Sequence, residues 1–124
     1  MKMNKKILLS ILIICFSIFT KLNAQILGVD IGPKSSIYIY SKNLSRDDAR
    51  DLGKFLYDVK YFDDQKRRIV EMLKEKNILT IRFILSKDEI QKRGNEVKKI
   101  DQFKKKLIDF YKNKTVKIKL VSEY

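Results

Sequence analysis

The chain has no histidine and no tryptophan, and only one cysteine and one proline among its 124 residues. Without histidine, Ser-His-Asp and Cys-His nucleophilic catalysis are excluded, as are the usual histidine zinc sites. An enzyme built from this chain would have to rely on carboxylates, lysines or tyrosines. The single cysteine, Cys15, sits in an apolar run near the start of the chain, so the remainder of the chain can form no disulfide and offers no thiol ligand or nucleophile. Acid is scarce as well: 15 Asp and Glu stand against 28 Lys and Arg, a net charge of +13.

The first residues read as an address. Lys2, Lys5 and Lys6 form a positive segment ahead of the uncharged run from Ile7 to Phe19, which has the length of a secretory h-region and falls short of the roughly 20 apolar residues a membrane-crossing helix needs. Residues 1–24 are therefore expected to be a signal peptide cleaved after Ala24, placing the protein in the periplasm or outside the cell. Two alternatives compete with this. Cys15 could be a lipidation site, but Ile13 and Ile14 stand where small residues are wanted. The segment could also stay as an uncleaved anchor, because Leu22 spoils the small-x-small cleavage pattern. Loss of Lys2, Lys5, Lys6 and Lys21 leaves 24 basic and 15 acidic residues, a net +9. About 100 residues make one domain, near the lower size at which a single core suffices.

Gln25 to Ser35 holds Gly28, Gly32 and Pro33 and is expected to be a tether, residues 25–35. The single domain is expected over 36–124. Ile37 and Ile39 alternate with Tyr38 and Tyr40 as a first strand. Ser45, with Asp48 three residues on, marks a helix start whose Ala49, Leu52, Leu56 and Val59 share a face, running to Tyr61-Phe62. Gly53 inside that helix suggests either close packing against a neighbour or a tolerated weakness, at about 1 kcal/mol.

Two β-rich runs, Arg68–Leu73 and Ile78–Leu85, are joined by a hairpin-length linker. A polar turn around Lys87 to Asn95 comes next. Val97, Ile100, Phe103, Leu107, Ile108 and Tyr111 then form a helical stripe, and Val116, Ile118 and Leu120 alternate with Lys117 and Lys119 as a last strand. The order β-α-β-β-α-β predicts an α+β, ferredoxin-like domain: a four-stranded antiparallel sheet with two helices on one face. Its other face must meet solvent or a partner.

The stretch from Leu44 to Leu56, with its A-x-x-L-G-x-x-L pattern, followed by Tyr61-Phe62 and the strand pair ending Ile81-Arg82-Phe83, resembles a small uncharacterised bacterial domain of exported or membrane-tethered proteins. The resemblance covers roughly 45 residues; it implies the domain and no catalytic residues.

Three constellations carry the functional expectations. On the open sheet face, Tyr38, Tyr40 and Arg82 are expected to meet, with Lys117 and Lys119 on an adjacent strand. Aromatics between basic groups suit bases or sugar rings, but tyrosines are also simply good strand formers, and the glycine-containing RNA-recognition signature is absent. The C-terminal third has eleven basic residues from Lys92 to Lys119 against Glu96, Asp101 and Asp109.

Of those basic residues, Lys98, Lys99, Lys105, Lys106 and Lys112 give the second helix a positive face. That face suits anionic polymers or lipid headgroups, or it serves as a solvated surface, since 22 lysines against six arginines lack the arginine fork of specific phosphate recognition. Asp47, Asp51, Asp58, Asp63 and Asp64 cluster near the first helix, where the helix start and a turn account for them.

No catalytic residue, metal or cofactor is assigned. The expectation is a non-enzymatic, exported binding domain of the cell envelope that holds an acidic protein or an anionic polymer. Membrane contact is expected only through the signal segment. Extracytoplasmic nucleic-acid binding through Lys98, Lys99, Lys105, Lys106, Lys117 and Lys119 is the alternative, and a carboxylate-dependent hydrolase is a second.

Overall fold

The computed structural model describes residues 26–123; the segment 1–24, with Cys15 and the cleavage site, lies outside them. The strands form where side chains alternate. In β2 (Ser35–Ile39) the residues Ser35, Ile37 and Ile39 are buried while Ser36 and Tyr38 are half-buried. Helix α1 (Arg46–Asp58) begins on a complete capping box, in which the Asp48 backbone N–H donates to Ser45 Oγ at 3.2 Å and the Ser45 N–H donates to Asp48 Oδ2 at 2.7 Å. The helix stops at Asp58, short of Tyr61-Phe62. Lys60 takes a left-handed conformation (φ 63°), and the N–H groups of Tyr61 and Phe62 both donate to Leu56 O. This reversal drops both rings into the core.

Strands β3 (Arg68–Glu75) and β4 (Ile78–Leu85) form a hairpin around Lys76-Asn77. The polar segment after β4 is more ordered than a turn. It holds a short helix, α2 (Lys87–Lys92), capped by Ser86, ahead of α3 (Asn95–Phe110) and β5 (Thr115–Ser122). Glu89 of α2 accepts the backbone N–H groups of Glu96 and Val97 at 2.6 and 3.3 Å. A carboxylate thus caps α3, where Gly94 at the N-cap position has no side chain to do so.

The protein is α+β, but the ferredoxin-like, four-stranded antiparallel expectation is overturned. The sheet is mixed, has five strands and runs in simple chain order, β1-β2-β3-β4-β5. The residues read as a tether include β1 (Leu27–Ile31), which pairs antiparallel with β2 across a turn at Gly32 (φ 77°). β2 pairs directly and in parallel with β3, and β4 in parallel with β5; only β1–β2 and β3–β4 are antiparallel. In a ferredoxin-like sheet the second strand of the hairpin would insert between the two strands of the first β-α-β unit. Here neither unit is split. Apart from the added β1 and the short α2, both layouts share the succession of strands and helices from β2 to β5 and the β3–β4 hairpin, so alternation along that part of the chain does not separate them.

All three helices belong to one layer. Ile37, Ile39, Val70, Met72, Leu79, Ile81 and Phe83 point into it from the sheet and are fully buried, meeting Leu52, Leu56, Val97, Ile100 and Leu107 from the helices. Gly53 marks a close approach: a Cβ there would come within 2.6 Å of Ile31 Cγ2 on β1. The edge strand and α1 therefore fit against each other without room for a methyl group, which selects the packing reading of that glycine.

The layers are also fastened by charge. Arg68 at the start of β3 donates from Nε and Nη2 to the two carboxylate oxygens of Glu96 on α3, each at 2.8 Å, and from Nη1 to Asp63 at 3.0 Å. Its guanidinium lies 5.1 Å from the centre of the Tyr61 ring.

Candidate functional site

Because the sheet runs in chain order, one cross-strand row on the face away from the helices reads Gly28, Tyr38, Glu71, Arg82, Lys119 from β1 to β5. The neighbouring row reads Asp30, Ser36, Ile69, Ile84, Val121. The tyrosines, Arg82 and the two lysines were expected together from a ferredoxin-like strand order; in the observed order they share a face with β3 lying between the tyrosines and Arg82, and the parallel β2–β3 pairing places there Glu71, which sequence reasoning missed. The available signal was a lone acid at an alternate position of the apolar run Ile69 to Leu73.

Glu71 organises the face. Tyr40 Oη donates to Glu71 Oε2 at 2.8 Å, Arg82 Nε lies 3.2 Å from Glu71 Oε1, and the Arg82 guanidinium sits 5.4 Å from the Tyr40 ring centre. The Arg82 contact is an ion pair without an aligned hydrogen bond. Burial first, and then the hydrogen bond to the Glu71 carboxylate, push the Tyr40 phenol up to about 12, so it is a hydrogen-bond donor at any physiological pH.

Tyr38 goes the other way. Its ring covers Gly28 of β1, where an added Cβ would lie 3.0 Å from Tyr38 Cε1. Between these groups is a shallow depression of about 270 Å³ bordered by Tyr38, Tyr40, Arg82, Ile69, Ile84 and Val121.

Lys117 stands across from Thr80 and Lys119 across from Arg82, both exposed and on this face. Neither forms an ion pair among the described residues. The lysines of α3 belong to the other layer. Lys98 and Lys105 are exposed; Lys112, expected on the helix face, is exposed in the turn beyond the helix end at Phe110; Lys99 is half-buried and lines, with Lys106, a cleft of about 630 Å³ against the end of α1. The six lysines considered for nucleic acid are thus divided between opposite sides of the molecule rather than gathered into one track.

Of the carboxylates near α1, Asp58 and Asp63 both line the cleft of about 630 Å³, among the cations Lys60, Lys99 and Lys106. Asp47 pairs with Arg50 on the surface at 3.4 Å, and Asp64 accepts from Tyr57 Oη at 2.8 Å. Two carboxylates do meet, Asp63 and Glu96, but they meet on Arg68. Hydrogen bonding to Arg68 holds the Glu96 carboxyl below its ordinary value against the opposing effect of burial. For Asp63 partial burial works upward, yet the N–H groups of Lys66 and Gln65 together with Arg68 bring it below the usual range. Both are ionised partners of a buried cation, the opposite of a raised, proton-donating acid.

Among the described residues no group of histidine, cysteine and acidic side chains is arranged to hold a metal ion, and no helix is long and apolar enough to cross a membrane. Compared with protein-family models, curated proteins and solved structures, the chain matches none of them.

Proposed function

We propose that the protein is an exported, non-enzymatic binding domain of the bacterial cell envelope, of the kind its Leu44–Leu56 helix pattern resembles, and that it holds its partner on the open face of the sheet. The observation that carries this reading is the uncovered row of Tyr38, Arg82 and Lys119 beside the half-buried row of Ile69, Ile84 and Val121. An apolar strip next to a positively charged, aromatic strip gives a partner both area to bury and a sign of charge to match.

The partner class that fits is an acidic protein or an anionic envelope polymer, because Lys117 and Lys119 form no ion pair among the described residues while the one acid of the row, Glu71, is already occupied by Tyr40 and Arg82. Pull-down from envelope extracts tests the reading. Retention of a partner by the native protein and its loss on changing Tyr38, Tyr40 and Arg82 to alanine supports it; unchanged retention of every partner overturns it.

A second reading, binding of nucleic acid or another anionic polymer through α3, draws on Lys98 and Lys105, about two turns apart on its exposed side, and on Lys112 in the turn that follows the helix. It requires an affinity that falls steeply with log salt, and no measurable binding at low ionic strength ends it.

A further inference from the structure

The sheet has two edges, and they differ. β1 is five residues long and offers Gly28 and Asp30 on the open face. β5 is eight residues long and is hydrogen-bonded only to β4, so its outer backbone groups have no partner among the described residues. Along β5 exposure alternates. Thr115, Lys117 and Lys119 are exposed, while Val116, Ile118 and Leu120 are half-buried toward the helices.

Another unpartnered group lies on α3. Phe110 of α3 faces α1, with its ring centre 5.2 Å from that of Phe55. Ile108 is two residues away and so about 200° around the helix, on the flank turned away from α1, and it is 41% exposed.

From these features we infer that β5 is a strand-addition site for an extended segment carrying acidic residues at every second position. This rests on the reading of the protein as a binding domain and names its partner's chemistry. Main-chain hydrogen bonds to the free edge supply affinity, and alternate side chains supply selectivity. Carboxylates of the incoming strand stand beside Lys117 and Lys119, where opposite charges on adjacent strands attract. Its intervening apolar side chains continue the layer of Val116, Ile118 and Leu120.

The same lysines argue against the simplest competitor. A second β5 laid against the first would set lysine beside lysine, the usual protection of an exposed edge against self-association. The edge is thus closed to its own copy and open to an acidic strand. β1 of a second copy brings only one acid, Asp30, and only five residues.

The test uses the full chain and three labelled eight-residue peptides: one alternating Glu and Val, one alternating Lys and Val, and the Glu peptide N-methylated at every second residue. N-methylation removes the donors of one strand edge and leaves the charge intact. Fluorescence anisotropy should show the Glu peptide binding at least tenfold more tightly than its N-methylated form, with slowed amide exchange confined to β5. The Lys117→Glu, Lys119→Glu double variant should lose the Glu peptide and take the Lys peptide instead.

Equal binding of the N-methylated peptide, or unaltered β5 amide exchange, overturns the inference and leaves the open-face reading standing, since that reading falls only with the Tyr38, Tyr40 and Arg82 pull-down. An apparent mass that rises with protein concentration and is abolished by the double variant overturns it in favour of pairing between copies.

Discussion

Two arginine–glutamate pairs, one on each side of the same sheet, show how environment divides structure from surface. Arg68 and Glu96 meet through two hydrogen bonds of 2.8 Å, and their side chains are 5% and 10% exposed. Arg82 and Glu71 meet through one contact of 3.2 Å, at 29% and 17% exposure. The first pair joins elements distant in sequence, β3 to α3, and has little access to water if broken. The second links neighbouring strands and faces solvent. An identical pair of residue types is a fastener in one place and part of a recognition surface in the other.

Removing one partner of the buried pair gives the largest expected effect. Glu96→Ala leaves Arg68 with a single carboxylate in a dry site and should cost about 3 kcal/mol in urea unfolding. It should also change the response to acid. Glu96 and Asp63 are both held below their ordinary values, so each adds stability above its unfolded-state pKa, and this is lost as pH falls through the folded-state value. Native protein should therefore weaken in acid, and the variant should weaken less steeply.

Packing on the covered side comes next. Gly53→Ala pushes a methyl into Ile31 and should cost about 2 kcal/mol, as overpacking does; adding Ile31→Ala should recover part of that in a double-mutant cycle. Full additivity of the two changes would break the claim that β1 and α1 meet there.

On the open side the effects shrink. Glu71→Gln should cost less than about 1 kcal/mol, yet alkaline difference absorbance should show Tyr40 titrating below its native value of about 12, because the charged acceptor is gone. An unmoved titration would remove Glu71 from the centre of the face. Lys119→Glu should change stability by no more than about 0.5 kcal/mol, so that any loss of partner binding reads as loss of contact rather than of fold.

Much of the architecture was legible because alternation and helical stripes report burial directly. The strand at Ile37–Ile39, the capping box at Ser45 and the stripe Val97, Ile100, Phe103, Leu107 stand where the pattern puts them. Leu27, Val29 and Ile31 also alternate, but with Gly28 and Asp30 between them and Gly32-Pro33 after, and composition masked the period. Ile108 belongs to the stripe by spacing yet is exposed, since one flank of α3 has nothing covering it among the described residues. Of the site, Tyr40 beside Arg82 was expected from neighbouring strands, whereas the two reach each other across β3. Glu71 was not expected, because which strands are neighbours decides which side chains meet.

The chain by itself determined an α+β protein with one apolar and one mixed side to each strand, no disulfide and no histidine chemistry, since these come from residue types and local periods. Strand order was decided only in three dimensions. Pairing β2 directly with β3, adding β1 at one edge and leaving β5 at the other are choices between arrangements of equal local propensity. They are settled by contacts between residues far apart in sequence: Arg68 with Glu96, Ile31 against Gly53, and Tyr40 and Arg82 on Glu71.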